Sequence, residues 1–387
     1  KAASPQTGKK VAVIGGGPAG LSAASFLSRA GVPVTVFERQ QNLGGIVRNV
    51  IPAFRISDET IDKDVELCKA YGAEFRLGTE VKSLQELKDQ GYTDIIVSVG
   101  AWNPGNAHLN YGEALDAIEF LEQAKKNPEN VSLGKNVVVL GGGNTAMDVA
   151  RAAKRINGVE KVRLVYRRTR RYMPADEEEL QMAIDDGVEF MELLAPIGVK
   201  DGVLKCSVME LGAPDASGRR APQDTGRETE VPADAVIAAV GERIDTALYE
   251  GMKVAMDAKG RPEVNENMMT SVEGIYAAGD SRRGPATVVE AIADAAKAAA
   301  AIAGISFEKY TDENAAGAED NYLFKKGMLS TDLTAEPDGR CLGCATVCEV
   351  CADVCPNRAN VAIHVPGKCQ AQIIHVDGMC NECGNCA

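Results

Sequence analysis

Short apolar runs recur along the chain, most of them closed by glycine and followed by a segment with apolar positions at helical spacing. The first is "VAVI" at Val11 to Ile14. "VTVF" from Val34, "TDIIVSVGA" from Thr93, "NVVVL" from Asn136, "VRLVY" from Val162, "ADAVIAAVGE" from Ala233 and "GIYAAGD" from Gly274 repeat the form. Runs without polar alternation suit strands buried on both faces, as in parallel sheets joined by crossover helices. A helix is predicted over Ala19 to Ala30. Another should begin in "MPADEEELQMAIDDGVEF", where the acids suit a helix start and solvation. "GAPDASGRRAPQDTGRE", from Gly212, is polar and rich in glycine and proline, and reads as a loop between strands.

Composition narrows the classes. The 387 residues suffice for two or three domains. No apolar window approaches the ~18 residues of a membrane span. A net charge of -13 argues against a general nucleic-acid binder, so an anionic ligand needs locally placed positive groups. Of 11 cysteines, Cys68 and Cys206 stand apart and the rest crowd between Cys341 and Cys386. Without a secretory signal, such crowding reads as metal ligation in a reducing, cytoplasmic compartment. The chain opens on Lys1 in "KAASPQTGKK". Both ends are expected to be cut from something longer.

The glycines after the first run are Gly15, Gly17 and Gly20, spaced G-x-G-x-x-G. The first permits the turn, the second lets backbone approach a pyrophosphate, and the third lets helix pack on strand. The helix from Ala19 to Ala30 offers its positive end to the phosphates. Glu38 follows the second strand, placed to hydrogen-bond ribose hydroxyls. "VVVLGGGNTAMDVAR" repeats the design with Gly141, Gly143 and Ala146. Its next strand ends in Arg167 and Arg168 where the first site has Glu38. Guanidinium binds a 2′-phosphate bidentately and a carboxylate repels one, so this second site should prefer NADP over NAD. Arg170 and Arg171 extend the basic cluster with less definite roles.

The order of these motifs resembles that of the glutamate synthase small (β) subunit and of the flavin half of dihydropyrimidine dehydrogenase. "VAVIGGGPAGLSAA", "LGGIVRNVIPAFRI", "VVVLGGGNTAMDVAR", "YRRTRRYMP" and "GIYAAGD" carry the resemblance, from Lys9 to about Ile305. It implies an α/β fold with an NADPH-binding Rossmann-like domain inserted in an FAD-binding one. The expected divisions are 8–130 and 233–305 for FAD, 131–232 for NADPH, a linker at 306–335 and a ferredoxin-like domain at 336–387. FAD would meet Gly15, Gly17, Pro18, Ala19, Gly20, Glu38, Arg39, Gly45, Ile46, Val81, Gly100, Gly279 and Asp280, the last on the ribityl chain. NADPH would meet Gly142, Gly143, Asn144, Thr145, Arg167 and Arg168.

The tail, "CLGCATVCEVCADVCPNRANVAI" with "QIIHVDGMCNECGNC", is similar to that of the YgfK-type selenate reductase subunit family. That likeness implies further iron–sulfur domains in a longer polypeptide and a partner redox subunit, for example of the molybdenum type. In two-cluster runs the cysteine before proline ligates the other cluster. Cys355 would therefore join Cys380, Cys383 and Cys386, leaving Cys341, Cys344, Cys348 and Cys351 for a second 4Fe–4S cluster. A further downstream cysteine would displace Cys341 or Cys344, and four thiolates also suit tetrahedral zinc. Cys369, Cys68, His364 and His375 read as structural. The whole reads as an oxidoreductase passing hydride from NADPH to FAD and single electrons onward. A glutamate synthase small subunit, or a relay subunit with an inactive nucleotide site, are the other readings.

Overall fold

The computed structural model describes residues 8–214 and 220–305, and in the tail 352, 355, 357, 359–363 and 372–379. Two units separate by contact, 1–307 and 308–387. The first begins with β1 (Val11–Ile14), α1 (Pro18–Arg29) and β2 (Val34–Phe37). α2 (Gly45–Asn49), α3 (Asp58–Ala70), β3 (Glu74–Arg76), α4 (Leu84–Asp89) and β4 (Asp94–Val97) follow. All four residues of β1, β2 and β4 are buried. β1 pairs in parallel with β2 on one side and β4 on the other. Helix α1 starts one residue before its expected position, because Pro18 takes the first turn, where its missing amide goes unused.

The chain then leaves this sheet through β5 (Asn103–Pro104) and builds a second one. β6 (Leu115–Asp116), α5 (Ala117–Lys126), β7 (Asn136–Leu140), α6 (Asn144–Lys154), β8 (Lys161–Tyr166), α7 (Glu177–Asp185) and β9 (Val188–Glu192) alternate strand with helix. β10 (Leu194–Lys200), β11 (Val203–Pro214) and β12 (Arg220–Pro232) form a separate antiparallel sheet. β13 (Ala235–Ala238) returns between β6 and β7, giving the parallel order β6-β13-β7-β8-β9. The expected loop from Gly212 is therefore largely strand: β11 runs to Pro214, and β12 takes up the rest from Arg220. Pro222 and Gly226 are tolerated because β12 is an edge strand and the ladder slips between Ser207/Met209 and Leu211/Pro214.

β14 (Glu242–Arg243) carries the chain back and pairs antiparallel with β5. After α8 (Ala247–Glu250), β15 (Ile275–Ala277) adds in parallel to β4, and α9 (Asp280–Arg283) and α10 (Val288–Ala303) close the unit. The first sheet thus reads β15-β4-β1-β2-β3. Ala23, Ala24 and Leu27 of α1 share a buried core with Ala295, Ala298, Ala299 and Ile302 of α10. Such small side chains let two helices approach closely over the sheet. In the second unit β16 (Asn360–Ile363) pairs antiparallel with β17 (Gln372–His375).

Candidate functional site

A large cavity opens at the carboxyl ends of β1, β2, β4 and β15, where ligands bind in open α/β sheets. Of the candidate flavin residues, Gly15, Gly17, Pro18, Ala19, Glu38, Arg39, Gly45, Ile46, Val81, Gly100 and Asp280 line it. Gly20 and Gly279 do not. A Cβ on Gly20 would lie 1.8 Å from the Gly15 carbonyl oxygen, so its role is close packing of α1 on β1. Gly279, at φ +67°, gives its amide to the buried Asp294 carboxylate at 3.2 Å. Gly15 sits at φ +99°, where its own Cβ would meet the Ser98 carbonyl at 2.5 Å. A Cβ on Gly17 would touch only Gly45, at 3.7 Å. That stretch of backbone is therefore bare toward the cavity, as close approach of a phosphate demands.

Glu38 is 6% exposed, and each of its carboxylate oxygens takes one amide: Gly16 at 2.6 Å and Gln40 at 2.7 Å. Each oxygen keeps a second acceptor position for a ribose hydroxyl. The Glu38 carbonyl accepts the Thr79 amide at 2.8 Å, bringing Val81 to the same wall. Arg39 lies over Trp102, 5.1 Å from the ring centroid, and the Trp102 indole N–H donates to the Val99 carbonyl at 2.9 Å. Trp102, the sole tryptophan, also lines the cavity and was not singled out in the sequence, although it follows Gly100 by two positions. Asp280 accepts the Ala286 amide at 3.1 Å, and burial pushes its carboxyl up to about 6.

The second glycine turn leads from β7 into α6. Gly141 is at φ +144°, with room for nothing larger because a Cβ would stand 2.2 Å from the Ala239 carbonyl. Gly142 packs on the Tyr166 ring, whereas a Cβ on Gly143 would meet nothing within 4 Å. Asn144 exchanges hydrogen bonds with Asp176, donating to its carboxylate and accepting its amide, both at 3.0 Å. Thr145 lies near Glu242, whose carboxyl is raised by burial and by the nearby Asp116 and Asp280. Arg167 and Arg168 follow β8 just as Glu38 follows β2. Among the described residues neither makes an ion pair, nor does Arg171, and the buried Nε atoms of Arg168 and Arg170 both have no hydrogen-bond partner. Arg170 is engaged by Glu177 at 2.5 Å. A phosphate suits the first group better than the last.

Glu179 departs from the sequence reading of its acidic run. It stands in the first turn of α7 as expected, but instead of being solvated it pairs with Arg55. Cys206 is buried in the antiparallel sheet, its thiol pushed up to about 11 by desolvation. The half-buried Cys68 packs beside Ile61 and Val65 on α3. Cys341, Cys344, Cys348, Cys351, Cys380, Cys383 and Cys386 lie outside the described residues, as do Cys369 and His364. The Cys355 sulfur accepts the Ala359 amide at 3.1 Å, an arrangement compatible with a thiolate ligand. His375 Nδ1 and the Asn360 side-chain oxygen lie 2.7 Å apart. Among the described residues no helix is long and apolar enough to cross a membrane.

Residues 9–295 match the family model described as pyridine nucleotide-disulphide oxidoreductase. The chain is 42% identical over 397 aligned positions to YgfK of Escherichia coli K12, which carries a provisional oxidoreductase name. That match covers 97% of this chain but 38% of YgfK. It is 38% identical to the glutamate synthase [NADPH] small chain of the same organism, over 76% of this chain and 68% of that one. In fold it is similar to FprA, an oxidoreductase of Mycobacterium tuberculosis, with a TM-score of 0.68 at 21% identity, covering 81% of this chain and 86% of that one.

Proposed function

The chain belongs to the pyridine nucleotide-disulphide oxidoreductase family and is an oxidoreductase, and on that premise we propose that it is an NADPH-dependent electron-transferring subunit. One observation carries this reading. Two glycine turns of the same design end in opposite chemistry, the buried carboxylate of Glu38 at one and, at the other, the guanidiniums of Arg167 and Arg168, which make no ion pair among the described residues. The first suits free ribose hydroxyls, as in FAD; the second suits a 2′-phosphate, as in NADPH. Despite the family's name, the matched residues contain only Cys68 and Cys206, which sit in separate cores, so a dithiol exchange is disfavoured.

FAD, when bound, supplies the exchange between a two-electron hydride and single electrons. Around it, α1 would direct its N-terminus at the pyrophosphate, Glu38 would hold the ribose and Asp280 would accept from the ribityl chain. At the second turn the Gly142 to Thr145 backbone would face the NADPH pyrophosphate. Two 4Fe–4S clusters would take Cys341, Cys344, Cys348 and Cys351, and Cys355 with Cys380, Cys383 and Cys386. From there electrons would leave to a partner redox subunit in the cytoplasm. The similarity to YgfK, which spans the tail, supports this over a glutamate synthase role, whose match covers less of the chain.

Anaerobically purified protein should contain FAD, iron and acid-labile sulfide, and NADPH should bleach the flavin far faster than NADH does. Because Trp102 lines the cavity, flavin removal should restore its fluorescence. Zinc in place of iron, or protein that retains no flavin, overturns the proposal.

A further inference from the structure

The segment from Gly45 to Asp58 begins on the wall of the first cavity and ends gripped by the second sheet's helices. Gly45, Ile46, Val47 and Ile51 line the cavity, yet Val50, 3% exposed, lies in the core built around α5 and α6. The Ile51 carbonyl accepts from the Lys125 ammonium of α5 at 2.8 Å. The guanidiniums of Arg151 on α6 and of Arg155 at its C-cap stand 4.7 and 4.4 Å from the Phe54 ring centroid. Beside it, Arg55 gives its Nε to Asp148 of α6 and its two terminal nitrogens to the two oxygens of Glu179 on α7. Arg151 and Arg155 in turn share Asp186, just past α7, at 2.7 and 2.8 Å.

Asp148 and Glu179 are thus two partly buried carboxylates drawn to one cation, their side chains 13% and 15% exposed. Without Arg55 they would repel each other with only Arg151 acting on Asp148, a costly arrangement in a site shielded from water. Asp148 stands one helical turn from Asn144, so any shift of α6 moves the turn that would face the pyrophosphate. We propose that Arg55 is a positioning residue: its fork across α6 and α7 sets the distance between the pyridine-nucleotide turn and the flavin cavity. This rests on the reading of the two turns given above. The clamp touches neither nucleotide; it fixes the frame in which hydride would pass.

The test compares wild type with Arg55→Gln in the full chain. Single-turnover bleaching of the flavin by saturating NADPH should fall on the order of a hundredfold, as expected when reacting groups move by about 1 Å. The affinity for NADP+ should change much less, and flavin content should stay level. In nucleotide-free protein, amide exchange over 46–56 and 144–154 should quicken. Glu179→Gln added to Arg55→Gln should cost little further, since both act through one contact. If Arg55→Gln does not fold, Arg55→Lys keeps the charge and loses the fork, and the same quantities are read on it. An unchanged bleaching rate, a loss confined to NADP+ affinity, or unchanged exchange overturns the clamp. Wild type that NADPH never bleaches would instead overturn the reading of the turns, and the exchange data alone would then decide the clamp.

Discussion

Glu38 accepts the amide of Gly16, 22 positions earlier in the chain, at 2.6 Å. This contact ties the end of β2 to the glycine turn after β1. Glu38→Ala would leave that buried amide and the Gln40 amide without an acceptor, costing about 2–4 kcal/mol. Denaturant unfolding of flavin-free protein measures this; a loss seen only with flavin present would show that Glu38 serves the ligand alone.

The two glycine turns should respond oppositely to one methyl group. Gly20→Ala drives a Cβ to 1.8 Å from the Gly15 oxygen and should destabilise by about 3 kcal/mol or prevent soluble expression. Gly143→Ala meets no neighbour within 4 Å and should unfold within about 0.5 kcal/mol of wild type while weakening NADPH binding. Thermal unfolding of both variants, with nucleotide titration of the second, checks the pair.

Arg167→Ala should weaken NADPH by about tenfold to a hundredfold, the worth of one charge-assisted contact, and leave NADH nearly unaffected. Titrating both nucleotides against the variant is the check. Equal losses would place the 2′-phosphate elsewhere.

Asp280 carries a pH signature. Burial pushes its carboxyl to about 6, above the ~3.9 of an unfolded aspartate. Between those values the folded protein holds the extra proton, so this group lowers stability as pH rises from about 4 to 6. Asp280→Asn should therefore gain stability relative to wild type above pH 6 and lose that advantage near pH 4. Flavin-free protein unfolded in urea across this range provides the measurement.

Cys355→Ser should deplete the cluster assigned to Cys380, Cys383 and Cys386 and leave the other. Iron and sulfide counts falling by about half, with one set of cluster signals retained, is the expected result. Full iron content would break the proposed pairing.

The sheets were legible because β1 and all but the first residue of β7 are uninterrupted apolar runs, and β2 and β8 are apolar on both sides of Thr35 and Arg163; the glycine turns were legible because their steric demands are local. The positions of Glu38 and Arg167, each close behind the second strand of its turn, were legible from the order of the runs. Glu179 was not: its partner Arg55 lies 124 positions away, and nothing in an acidic helix start announces a distant cation. The hairpin of β11 and β12 was missed because edge strands admit the proline and glycine that mark loops. Gly20 and Gly279 carry the motif yet stand off the cavity, since pattern does not distinguish contact with ligand from contact with backbone.

Asn103–Pro104 and Glu242–Arg243 lie side by side as one antiparallel rung. Everything between them leaves and re-enters through a single gate, so the intervening 105–241 is a cassette in the architectural sense. On the proposed reading of the second glycine turn, an exchange of that cassette would change which reductant is recognised and leave the β1 pocket's own walls largely in place, except where Val50, Ile46 and Trp102 lose their neighbours. Diversification of electron donors in such a scaffold needs one compatible replacement at that gate, matched to the grip of residue 55.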